Sequence, residues 1–151
     1  MQYQIRPFEL NDAFTVSQWA STAEDTEALD TEIEFPLTPA QVAAWFYQTS
    51  DAFILTKGDV PVAYGEVLED EVENDVEIQH LIVDPALRST GVGQELVGKL
   101  CQFIAISRTY NEVWIRIRRG NIAAHKCAIR SSFTEIPEAS GERFLWLKKS
   151  I

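Results

Sequence analysis

The 151-residue sequence predicts an α+β domain with a central twisted mixed sheet flanked by helices, and three observations predict it. Several short β-branched runs alternate or sit between turn residues. Four segments carry apolar residues at helical spacing. A hairpin in the first half is followed by a strand, helix, strand unit in the second, so antiparallel and parallel neighbours belong to one sheet.

Taken in order, Tyr3 to Phe8 reads as a first strand, and Asn11 as the cap of a helix reaching Ala20 through Phe14, Val16 and Trp19. An acidic connection covering Glu24 to Glu34 follows. Thr38-Pro39-Ala40-Gln41 is a capping box with proline at the first helical position, opening a second helix with Val42, Trp45 and Phe46 on its apolar stripe. Ala52 to Lys57 and Val60 to Leu68 are strands of a hairpin closed at Gly58-Asp59. Val76 to Val83 is a further strand that stops at Asp84-Pro85. Gly91 to about Ile106 has a helical apolar face, Val113 to Ile117 is a strand, and Asn121 to Ser131 a helix. Phe133 to Ile136 and Phe144 to Leu147 close the sheet. No repeat or linker divides residues 1–151, so one domain is expected.

Composition narrows the function. Hydrophobic residues are 46% of the chain and charged residues 24%, enough apolar material for a core. Thirteen Lys and Arg against 23 Asp and Glu give a formal charge of −10, which opposes a nucleic-acid partner, since phosphates must be met by cations. No apolar run has the length of a membrane span, and the start MQYQIRPFEL lacks a signal-peptide core, so no membrane partner and a cytoplasmic location are expected. Cys101 and Cys127 have no metal or redox spacing and read as reduced core residues, and no metal site is expected.

Arg88-Ser89-Thr90-Gly91-Val92-Gly93 lies between an apolar strand and an amphipathic helix and reads as a phosphate cradle. A helix start offers unpaired N–H groups and the positive end of its dipole. Glycines let a pyrophosphate come close, and an arginine adds a forked contact. A P-loop lysine and a GxGxxG dinucleotide fingerprint are both missing.

Through LIVDPALRSTGVGQEL (Leu81 to Leu96) and RGNIAAHKCAIRSSF (Arg119 to Phe133), the chain resembles the GNAT acyltransferase family. The second segment keeps Asn121, Ala124 and Phe133, but has Ser132 at the usual glycine and Ala128 at the frequent tyrosine. The resemblance implies the GNAT fold, acetyl-CoA as cosubstrate, and transfer of its acyl group to a primary amine by direct attack in a ternary complex. It implies a sheet with splayed strands, where the edge Leu81, Ile82 and Val83 pairs with pantetheine. Backbone N–H groups from Ser89 through Thr90, Gly91, Val92 and Gly93 to Gln94 would hold the pyrophosphate, and Asn121 would contact the pantetheine arm. Lys126 and Arg130, four apart, are candidates for the 3′-phosphate, with plain surface solvation the competing reading.

An ammonium acceptor must lose its proton before it attacks. Glu77 stands where one branch of the family carries its base glutamate, against the competing reading that it is one more member of the acidic loop that also contains Glu69, Asp70, Glu71, Glu73 and Asp75. Glu66 and His80 are alternatives. On simple alternation His80 faces away from Glu77 unless a bulge intervenes, and it therefore ranks below Glu77. With Ala128 at the tyrosine that protonates the leaving thiolate, His125 is the substitute on the same helical face, against the alternatives of a surface histidine and protonation by water. The acceptor, a small-molecule amine or a basic peptide, and the state, monomer or homodimer, are left open. So is a catalytically silent acyl-CoA-binding module on the same fold, which the departures at Ala128 and Ser132 favour.

Overall fold

A computed structural model describes residues 2–151. Seven strands form one open sheet: β1 (Tyr3–Pro7), β2 (Asp51–Lys57), β3 (Val60–Asp70), β4 (Asp75–Val83), β5 (Glu112–Arg118), β6 (Thr134–Glu135) and β7 (Phe144–Ser150). Their spatial order is β1-β2-β3-β4-β5-β7-β6, and every pairing is antiparallel except β4 with β5. The parallel pair is joined by α4 (Val92–Ser107), as a parallel connection requires. The other helices are α1 (Ala13–Trp19), α2 (Ala23–Leu29), α3 (Pro39–Gln48) and α5 (Ile122–Arg130). Among the described residues, no helix is long and apolar enough to cross a membrane.

The sheet has a core on each face. On one, Leu55, Val67 and Ile78 pack with Val92, Leu96, Leu100 and Ile104 of α4. On the other, Ile54, Tyr64 and Ile82 pack with Val16 and Trp19 of α1 and with Val42 and Trp45 of α3. The capping box of α3 is present: Gln41 N–H donates to Thr38 Oγ1 (3.2 Å) and Thr38 N–H to Gln41 Oε1 (2.9 Å).

Two local expectations are corrected. Asn11 does not cap α1: residues 10–12 form a 3-10 turn, and the Glu9 N–H is met by Asp12 Oδ2 (2.8 Å), a carboxylate itself fixed by Arg6. The connection from Glu24 to Glu34 is not all loop, for Ala23–Leu29 is helical, with Thr22 Oγ1 accepting the Asp25 N–H (3.0 Å). Its acids conceal a valid start, a Thr cap followed by Glu24 and Asp25 in the first turn, where the helix dipole favours negative charge.

Candidate active site

The site begins where two parallel strands part. Among the described residues β4 pairs with β5 only at Glu77–Trp114 and Ile78–Ile115. Beyond that point β5 follows β7 to Arg118 and β4 follows β3 to Val83. The gap is the mouth of a cavity of about 800 Å³ whose lining includes Leu81, Ile82 and Val83, the expected edge.

At one end the cavity meets the start of α4. Gly91, with φ +89°, is the N-cap, and no side chain caps the helix, so the first-turn N–H groups are free for an anion. Ser89, Gly91, Gly93 and Gln94 line the cavity, as does Arg88. Thr90 faces a shallower groove outside it, and the Val92 side chain is buried in the core. Neither residue is part of the cavity lining. Arg88 is already engaged: its guanidinium pairs with Asp25 of α2 (3.2 Å) and donates to the Trp19 carbonyl (3.0 Å). An incoming phosphate would share or displace Asp25.

Asn121 caps α5 by accepting the Ala124 N–H (3.2 Å) and also lines the cavity. Lys126 and Arg130 reach the same wall, and neither forms an ion pair among the described residues. Gly93 allows α4 and α5 to meet, since a Cβ there would stand 3.1 Å from Cys127 Sγ. Burial pushes the thiols of both cysteines up, so neither is a ready nucleophile.

Glu77 lines the cavity, and burial raises its carboxyl above the usual range against the opposing pull of Arg116 and His80. The structure does not bring His125 there. Its Nε2 lies 2.5 Å from Glu135 on β6, a half-exposed pair that faces away from the cavity lining, while Ala128 is fully buried. The turn of helix that carries Lys126 and Arg130 inward carries His125 outward.

His80 does reach the cavity, because the register of β3 and β4 slips between Tyr64 and Glu66. Gly65 there opposes two residues, His80 and Leu81, and His80 adopts φ +49°. Gln79 and His80, adjacent in sequence, thus both bond Glu66, while Leu81 turns toward α4. Gly65 is needed at this point: a Cβ would come within 2.8 Å of Leu81 Cδ2 and 3.0 Å of Leu100 Cδ1.

Further groups line the site that sequence reasoning had not singled out. Arg118 pairs with Glu27 of α2 (2.5 Å), and Arg116 lies over the Phe144 ring (4.3 Å). The spacing Tyr64-Gly65-Glu66 was a usable signal, since residues two apart on a strand share a face.

An open mixed sheet whose one parallel pair parts beside an uncapped helix start is the arrangement that the resemblance to acyltransferases implied. The chain belongs to the acetyltransferase (GNAT) family, whose model matches residues 12–133. No curated protein matches it closely enough to be significant. Among solved structures, it is similar to a domain from Methanocaldococcus jannaschii DSM 2661 (17% identity, TM-score 0.80, 99% of each chain). It is similar also to the spermidine N-acetyltransferase from Vibrio cholerae in complex with CoA and spermine (11%, 0.78, 99% of this chain and 95% of that). A third is the aminoglycoside acetyltransferase AAC(6′)-Ib in complex with coenzyme A (15%, 0.76, 99% and 95%). At these identities the likeness establishes the fold.

Proposed function

We propose that the protein is an acetyl-CoA-dependent N-acetyltransferase acting on a cationic amine. The observation that carries this is the parting of β4 from β5 beside the uncapped start of α4, which joins a strand edge for pantetheine to an anion site for pyrophosphate. In this reading the N–H groups opening α4, with Arg88, hold the pyrophosphate, and Lys126 and Arg130 meet the 3′-phosphate. Asn121 and the edge Leu81–Val83 orient the arm, and a backbone N–H near the splay polarises the thioester carbonyl.

Glu77 takes the proton of the incoming ammonium. Burial supports this, since a carboxyl raised above its ordinary range is a better base than an exposed one. Cavity-lining Asp30 and Glu32, with Glu77, favour a cation, and spermine and ribostamycin, held by two structural neighbours, are of that chemistry. The amine attacks directly, with no acyl-enzyme.

The test is free-thiol release from acetyl-CoA across a panel of polyamines, aminoglycosides and basic peptides, with calorimetry for CoA. Amine-dependent thiol release supports the reading. CoA binding with no release for any amine would favour a silent binding module.

A further inference from the structure

Glu66 is fully buried, yet three donors surround its carboxylate: the Tyr64 hydroxyl, Gln79 Nε2 (3.0 Å) and His80 Nδ1 (2.9 Å). Burying a carboxylate is costly unless it is paired, and an apolar residue would serve packing better. Tyr64 stays protonated, because burial and the neighbouring carboxylate both push its hydroxyl up. Glu66 therefore accepts from every side, Nδ1 carries the hydrogen, and the lone pair of His80 falls on Nε2. The ring is clamped from its other side by Trp45 of α3, stacked at 4.1 Å and 13°. The side chain is 15% exposed, and His80 lines the cavity beside Glu77. A positive φ for a non-glycine residue, fixed by the bulge, holds it there.

We infer that His80, oriented by Glu66, is a second proton-transfer residue of the acyl transfer. The inference rests on the acetyltransferase reading above. An ammonium acceptor loses two protons on its way to an amide. The first goes to Glu77. The neutral nitrogen then bonds to the thioester carbon, the carbonyl π pair moves to oxygen, and the adduct nitrogen is cationic. His80 Nε2 takes the second proton, and the imidazolium is balanced by Glu66. As the carbonyl re-forms and the C–S bond breaks with its pair on sulfur, that proton passes to the thiolate, directly or through water. Glu77 returns its proton to solvent. The route supplies the acid that Ala128 lacks. Glu66 is a positioning residue throughout.

The groups facing His80 set its pH response. They are Glu66 and Tyr64 from β3, Glu77 from its own strand and uncharged Trp45 from α3. Arg116 and the carboxylates of Asp25, Glu27, Asp30 and Glu32 also line the cavity.

The experiment has two arms. The sequence holds only two histidines, so ¹⁵N NMR of the imidazoles, with His125→Ala to tell them apart, reads the His80 tautomer directly. Hydrogen on Nδ1 at neutral pH is expected, and hydrogen on Nε2 overturns the inference. In the second arm, thiol release is followed with spermine and ribostamycin. His80→Gln should lower kcat by about 10²–10⁴-fold with CoA affinity retained. Glu66→Gln should lower it by about 10²-fold through misplacement of the ring. The acid limb of log kcat should lose one of its two ionisations in His80→Gln. His80→Gly, which suits the positive φ and opens a ring-sized hole, should regain rate on adding imidazole, which a merely structural histidine would not show. Wild-type kcat in His80→Gln overturns the inference. Absence of thiol release in the wild-type protein would count instead against the acetyltransferase reading, and the tautomer would then decide the dyad alone.

Discussion

Gly91 offers a way to separate backbone strain from anion binding at one position. Its φ of +89° is left-handed, and a Cβ there would meet nothing within 4 Å. Gly91→Ala thus adds no clash. It incurs the left-handed penalty of about 1–2 kcal/mol. Reduced freedom of the unfolded chain offsets about 0.4–1 kcal/mol of that. A net loss of about 0.5–1 kcal/mol corresponds to roughly 1–4 °C in a chain of this size. Gly91→Glu carries the same strain, but its carboxylate sits at the positive end of α4 and recovers about 0.3–1 kcal/mol. Without ligand, the glutamate variant should melt at or above the alanine variant. With CoA the order reverses, for at roughly 5 Å and an effective dielectric of about 20 each like-charge pair costs about 3 kcal/mol, or some 10²-fold in affinity. Alanine should change affinity less than about threefold, since the N–H donors remain. Thermal unfolding and CoA calorimetry on both variants check this. Equal CoA affinity for the two would refute the phosphate cradle, and an unshifted melting temperature for alanine would refute the strain.

Other outcomes follow from the same geometry. Glu77→Gln should lower kcat by about 10²–10⁴-fold with acetyl-CoA binding nearly intact, and full activity across the pH range would remove it as the base. The same variant should be the more stable protein near neutrality. Folding raises the Glu77 carboxyl above its unfolded value, so its contribution to stability declines as pH rises through the folded value. Melting temperatures should converge at acid pH, where both states hold the proton, and a constant gap would contradict this. Replacing Lys126 and Arg130 together by alanine should weaken CoA by tenfold or more, on the order of 1.4 kcal/mol, and dephospho-CoA much less. Equal losses would place the 3′-phosphate elsewhere. Ser132, at φ +72°, holds the conformation of the glycine usual at that position. Ser132→Gly should therefore raise stability by about 0.5–1 kcal/mol, relief of the left-handed penalty exceeding glycine's entropy, and no gain on heating would count against it.

The order of the strands and of every helix but α2, the α3 capping box and the RxxGxG loop were determined by the sequence alone. Each depends on residues within a turn or two of one another: Thr38 with Gln41, or Gly91 at the mouth of α4. The splay was legible only through family likeness, because the parting of β4 from β5 depends on the path of β7, far along the chain. Tertiary structure decided which side chains meet. Alternation set His80 opposite Glu77, and one extra residue against Gly65 turned it onto Glu66 and Trp45. Helical spacing put His125 near Ala128, but β6 drew it to Glu135, and α2 brought Asp25 to Arg88 across 63 residues. A bulge and an ion pair between distant elements cost or gain only a few kcal/mol and leave almost no local pattern. Periodicity therefore specifies the elements, while the register between them fixes the chemistry of the site.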